Sequence, residues 1–190
     1  MLQTIQAIDE TLILFIQNNL RFEPLNQIMK VITYAGEAGM IWILLSLFFI
    51  FVKKDKKTGL VLLAGLAISY IINDIIIKNL IMRPRPFVDI PTLTALIKYP
   101  SSPSFPSGHA VSSFCFSYIV SALQGKRWRW CYIMAFIIAA SRSYVGVHYV
   151  SDILIGAILG ILIAIILVKF ANKACILSSS QNPCRKKRRR

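Results

Sequence analysis

Apolar residues dominate this chain in long runs, and the polar positions between them come in short clusters. In the first stretch, Ile5, Ile8, Leu12, Phe15, Ile16 and Leu20 recur at roughly helical spacing, with Asp9, Glu10, Gln17 and Asn18 between them. This predicts an amphipathic helix over 4–20, either lying in a membrane interface or tucked in as a first span. Arg21 to Pro24 break it, and a short helix over 25–34 is expected next. Five further runs are apolar enough to predict membrane-spanning helices: 38–52, 58–82, 107–123, 128–144 and 149–170. They are continuously apolar rather than alternating, which favours helices over barrel strands. Gly156 and Gly160 stand four apart, a spacing that lets two helices approach closely. The expected fold is all-α: a polytopic membrane bundle of five spans plus the N-terminal helix. Three regions are expected: amphipathic helices over 1–37, a membrane-embedded domain over 38–170, and a disordered basic tail over 171–190.

Composition narrows the function classes. The chain has 190 residues, one domain's worth, and is 56% hydrophobic with 16% charged residues, which excludes an ordinary soluble domain. Its net charge of +14 does not indicate a nucleic-acid partner, because the cations gather at the ends of apolar runs. Lys53, Lys54, Lys56 and Lys57 fill one loop, and Lys126, Arg127 and Arg129 another. Lys169, Lys173 and the six residues Arg185 to Arg190 extend the last run. These make fifteen of the 22 cations, and all fall on one side if the five spans alternate. The positive-inside rule makes that side cytoplasmic. Segments 83–106 and 144–149 then fall on the opposite, outer side. Cys115 and Cys131 read as small buried apolar residues, while Cys175 and Cys184 lie near the tail as candidate lipidation sites. No spacing points to a disulfide framework. The N-terminus lacks a secretory cleavage pattern, so membrane segments are expected to be retained.

Three polar clusters share that outer face. The first runs from Asp74 through Lys78 to Arg83-Pro84-Arg85-Pro86. Asp74 and Lys78 lie one helical turn apart, as a buried ion pair or a lysine reaching the headgroups. Either arginine would anchor at headgroups or grip phosphate with its two-pronged guanidinium, and spacing does not choose between them. In the second cluster, Pro106-Ser107-Gly108-His109 opens a helix whose free N–H groups form a natural anion site. Ser107 serves either that site or simply the helix cap. The third comprises Ser141, Arg142, His148 and Asp152. A helix starting near His148 puts Asp152 on the same face, where a carboxylate accepts Nδ1–H and leaves Nε2 free to attack phosphorus. Two histidines and a carboxylate would also suit zinc, but three nearby cations repel a dication and favour an anionic substrate.

Together, Lys78-x₆-Arg85-Pro86, Pro106-Ser107-Gly108-His109 and Ser141-Arg142-x₅-His148-x₃-Asp152 resemble the type 2 phosphatidic acid phosphatase superfamily. The resemblance covers roughly residues 58–170. It implies a metal-independent hydrolase with no cofactor, and it selects Arg85 over Arg83. It further implies that His148 is the nucleophile, Asp152 its orienting partner and His109 the acid. Lys78, Arg85, Ser107, Gly108 and Arg142 would hold the phosphoryl oxygens, supported by Asp74, Pro86, Pro106 and Ser141. The implied partner is a membrane lipid phosphate within the bilayer; the motifs leave oligomeric state open. Small bacterial members act on undecaprenyl diphosphate, phosphatidylglycerol phosphate or phosphatidic acid. An outward-facing site favours undecaprenyl diphosphate, which is recycled on that face. The alternative of another class is a non-catalytic lipid-phosphate-binding protein.

Overall fold

A computed structural model describes residues 2–180, and among these the regular structure is helical. Helix α1 (Leu2–Phe15) runs on through a π-helical turn, Ile16–Leu20. Helix α2 (Glu23–Ala35) starts with proline in its first turn, where the missing N–H costs nothing. Helix α3 (Met40–Phe51) follows a bend of 49°. The bend has a local cause: Ala38 and Gly39 both adopt positive φ, 50° and 69°. The expected run at 38–52 therefore starts at Met40, as the second limb of a broken helix.

Helix α4 (Lys56–Tyr70) is capped by Asp55, whose carboxylate accepts the Thr58 N–H at 3.0 Å. Its path continues through a π-helical segment, Ile71–Ile77, and a final turn, Lys78–Ile81. The Arg-Pro-Arg-Pro run stops it, and Pro86 opens the one-turn helix α5 (Pro86–Asp89). Helices α6 (Gly108–Gln124) and α7 (Trp130–Tyr144) form a hairpin, and α8 (Val150–Ser180) closes the bundle. Helix α8 extends past the end expected at 170, through residues expected to be disordered, while residues 181–190, the second half of the expected basic tail with Cys184, lie outside the described residues.

Helix α6 is the central element. Val111, Cys115, Phe116, Ile119 and Val120 are buried on it, packed against Trp42 and Phe49 of α3, Leu62 of α4, Ile138 of α7 and Ile163 of α8. Ser113 and Ser117 are buried too, and the Ser113 hydroxyl accepts the Trp42 Nε1–H at 2.8 Å. The expected glycine pair brings α8 against α6: a Cβ on Gly156 would sit 2.9 Å from the Ser107 carbonyl oxygen. This close approach seats Asp152 beside the start of α6, where the Asp152 carbonyl accepts the Ser107 N–H at 3.1 Å. Cys115 and Cys131 are free thiols within the core.

The outer surface is apolar, with Phe51, Leu80, Phe136, Leu154 and Ile166 among many exposed large side chains. Such a surface suits lipid rather than water. Helices stand at all five places where spans were expected. By length and apolarity, the stretches 56–89 and 150–173 suffice to cross a membrane, with a third crossing if α2 and α3 form one bent span. Helices α6 and α7, at 17 and 15 residues, are shorter and more enclosed.

Candidate active site

The three polar clusters converge on one cavity of about 1020 Å³. Asp74 and Lys78 reach it from the end of α4, and Arg85 from the turn before α5. Gly108 and His109 come from the start of α6, Arg142 from the end of α7, and His148 from the link to α8. One wall is apolar, formed by Ile43, Leu63, Leu66 and Ala67. Ser107, Asp152, Pro86 and Pro106 are buried and are not part of the lining. Ser141 is turned away, its hydroxyl donating to the Ile138 carbonyl at 2.7 Å, so its part is local to α7.

His148 is almost completely buried, at 1% exposure. Its Nδ1 faces Asp152 Oδ2 at 3.5 Å and Ser104 Oγ at 3.4 Å, while its Nε2 lies 3.5 Å from Arg85 Nη1. The 3.5 Å separation is long for a hydrogen bond, as is common in sites without a bound substrate. Burial, reinforced by the Arg85, Arg142 and Lys78 cations, pushes the imidazole well below its usual range. Near pH 7 it is therefore neutral, with a lone pair available. Asp152 is held from every side: Oδ2 accepts from the Ser104 hydroxyl at 2.5 Å and the Tyr149 N–H at 3.0 Å, and Oδ1 pairs with Arg83 at 2.6 Å.

The two arginines of the first cluster divide cleanly. Arg85 lines the cavity, fixed by Nε donating to the Ser102 carbonyl at 2.7 Å and Nη1 donating to the Val147 carbonyl at 2.9 Å. Arg83 points behind the site, between Asp152 and Asp9 of α1. Lys78 pairs with Asp74 at 2.5 Å, and Asp74 lies against Gly108, where a Cβ would meet its Oδ2 at 3.3 Å.

Two buried donors near the cavity are unmatched. Ser107 occupies the cap position of α6 without making a cap bond, and its buried hydroxyl has no partner among the described residues. The Arg142 Nε–H is likewise unpartnered, while Nη1 donates to Thr33 Oγ1 at 2.6 Å. The Thr33 carbonyl lies 3.1 Å from His109 Nε2. A carbonyl only accepts, so Nε2 carries a proton there and Nδ1 is the second nitrogen. Gly36 sits against the ring, where a Cβ would come within 2.8 Å of His109 Cδ2. Buried unpaired donors beside three cations and a helix N-terminus form a seat for a tetrahedral anion.

A family model for the PAP2 superfamily matches residues 58–175. The chain belongs to the PAP2 superfamily. Phosphatidylglycerophosphatase B of Bacillus subtilis is 31% identical over 162 residues, covering 78% of this chain and 76% of that one. Undecaprenyl-diphosphatase of Sulfolobus acidocaldarius is 27% identical over 159 residues, covering 83% and 76%. The crystal structure of a transmembrane PAP2-type phosphatidylglycerolphosphate phosphatase from Bacillus subtilis superposes with a TM-score of 0.73 at 26% identity, covering 90% of this chain and 87% of that one. This PAP2 protein is thus a membrane lipid phosphatase. Its site draws on residues that the motifs do not include: Ser104 on Asp152, Arg83 behind it, and Asp9 and Thr33 from the first two helices. Nothing local in the sequence separates Asp9 from its neighbour Glu10.

Proposed function

We propose that this phosphatase hydrolyses a lipid phosphate through a phosphohistidine on His148. The observation that carries the proposal is the clustering of the motif residues: a neutral buried imidazole faces Arg85 at one cavity, and Ser107 Oγ and Arg142 Nε–H are buried without partners among the described residues. The His148 Nε2 lone pair attacks phosphorus, and the bond to the leaving oxygen breaks. His109 enters this step as the imidazolium, its Nε2–H held by the Thr33 carbonyl, and gives its Nδ1 proton to that oxygen. Asp152 stabilises the cationic ring through Nδ1–H, and Lys78, Arg85, Arg142, Ser107 and the amides opening α6 hold the phosphoryl oxygens. His109 then removes a proton from water, which attacks phosphorus; the P–N bond breaks and phosphate leaves. The three fixed cations supply the charge a dication would bring, and Asp74 and Asp152 are already paired, so turnover is expected to persist in EDTA.

For the substrate we favour undecaprenyl diphosphate. A long apolar cavity wall beside the phosphate seat suits a lipid, and a relative named for this activity covers most of the chain. The second reading is phosphatidylglycerol phosphate, supported by the named Bacillus subtilis relative and its structural likeness. Both fit five spans with the site outward. Gln124 Nε2 donates to Asp55 Oδ2 at 2.7 Å, which ties the lysine-rich 53–57 loop to the basic 126–129 turn at the end remote from the clusters. In this arrangement the tail is cytoplasmic. The test is phosphate release by purified protein from undecaprenyl diphosphate, phosphatidylglycerol phosphate and phosphatidic acid, compared by kcat/KM with EDTA present. Release from none of them would leave a binding protein instead. An impermeant thiol reagent on intact cells should label a cysteine placed at 95 and spare one at 55.

A further inference from the structure

Behind His148 lies a buried ionic cluster that the three motifs do not account for. Its centre is Arg83 and its far end is Asp9, only 2% exposed and outside the residues 58–175 matched by the family model. Asp9 Oδ2 accepts from Arg83 Nη2 at 2.8 Å, and Gln6 Oε1 accepts from the same nitrogen at 2.6 Å. Arg83 Nη1 donates to Asp152 Oδ1 at 2.6 Å and to Ser151 Oγ at 2.8 Å. The guanidinium lies over the Tyr149 ring, 4.1 Å from its centroid. Asp9 also accepts the Ser151 N–H at 3.0 Å and the Ser151 hydroxyl, so it caps from another helix the turn that carries Asp152.

The geometry matters because a guanidinium fork matches a carboxylate in two-pronged fashion. Left alone beside Asp152, Arg83 would take both carboxylate oxygens. Here its Nη2 edge is already occupied by Asp9 and Gln6, so only Nη1 reaches Asp152, and only Oδ1 is taken. Oδ2 stays turned toward His148 Nδ1 and Ser104. We propose that Asp9 is a positioning residue of the phosphatase: by holding one edge of Arg83 it keeps Asp152 Oδ2 free for His148. The proposal rests on the assignment of His148 as nucleophile with Asp152 as its partner. It makes α1 part of the catalytic apparatus rather than a membrane anchor alone.

The test measures kcat and KM of the full-length purified protein, with active sites counted by vanadate binding. Asp9→Asn removes the charge that holds the Nη2 edge. It should lower kcat per vanadate-binding site by about tenfold, the scale of a supporting group around a catalytic residue, with KM within about twofold because the phosphate seat is untouched. Arg83→Lys supplies the discriminating arm. An ammonium is a point charge and cannot capture both oxygens. In the Asp9→Asn background, Arg83→Lys should therefore restore kcat to the level of Arg83→Lys alone. A general structural role for Asp9 predicts the opposite, with the double variant worse than either single one. Loss of vanadate sites in parallel with activity, or equal losses from Asp9→Asn in both backgrounds, would overturn the proposal. Failure of the underlying assignment is seen separately, as a phosphoenzyme that survives His148→Ala.

Discussion

Two groups of polar residues at the site are built on opposite plans. Around His148 and Asp152 the polar groups are matched: Asp152 alone accepts from Ser104, Tyr149 and Arg83, and Arg83 in turn donates to Asp9, Gln6 and Ser151. By contrast, Ser107 Oγ and Arg142 Nε have no partner among the described residues. Both groups are buried, so exposure to water does not explain the contrast. A saturated network fixes one geometry and resists change. Unsatisfied buried donors are costly unless something completes them. In the proposed mechanism one group positions a reacting atom, and the other holds binding capacity in reserve for an anion.

The comparison breaks most completely at His148. His148→Ala should lower turnover by on the order of 10⁴-fold or more, since removing a nucleophile disables the whole constellation. An acid-labile, base-stable ³²P adduct, present in wild type, should vanish. In the wild type the acid limb of kcat/KM should lie below pH 6.5, the ordinary imidazole value. Burial and the neighbouring cations disfavour protonation, so acid must go further to remove the lone pair. A limb above that value would contradict a neutral buried nucleophile.

His109→Ala should cost less, by an amount that depends on the substrate. General acid catalysis contributes about 10²- to 10⁴-fold. The upper end is expected for an alkoxide leaving from a monophosphate. A phosphate leaving from a diphosphate is a weaker base and should suffer less. Equal losses on both substrates would argue that His109 does not deliver the proton.

Much of this was readable in the residues. The three clusters carry chemistry within short spans, and the glycine pair on α8 reports a close approach that helical spacing alone encodes. The partners of Asp152 and Arg142 were not readable. Asp9 lies 142 residues from the Ser151 it caps, and Thr33 lies 109 from Arg142. Within α1, Asp9 falls in the same polar stripe as Glu10, and only packing against α8 separates the buried carboxylate from the more exposed one. The start of α3 moved for a local reason, the left-handed Ala38 and Gly39, which an apolar run conceals.

In the unpartnered group, Ser107→Ala deletes a donor that makes no bond to its own helix. If the hydroxyl merely capped α6, its loss would appear as lower stability with kcat per folded molecule unchanged. As a donor to the phosphoryl group it should instead cost on the order of 10²-fold in kcat, the scale of one oxyanion donor. Vanadate inhibition should weaken alongside, while thermal stability stays near wild type.

The smallest effect is expected at Thr33, which touches an anion-binding cation and the proton donor with two different atoms. Its hydroxyl holds Arg142 and its carbonyl meets His109. Thr33→Val keeps the shape and the carbonyl but removes the acceptor for Arg142 Nη1. One lost hydrogen bond to a charged group is worth about 1.5 kcal/mol at the lower end, roughly tenfold, and that end applies where substrate can re-anchor the guanidinium. That loss should appear in KM and in the vanadate inhibition constant, because Arg142 contributes to the seat rather than to His148. The ratio between monophosphate and diphosphate turnover should stay at its wild-type value, since His109 keeps its backbone partner. Thr33→Ser, which restores the hydroxyl, should recover affinity. If Thr33→Val changed the substrate ratio instead, the hydroxyl would be acting through His109, and the separation between an anion seat and a proton donor would not hold.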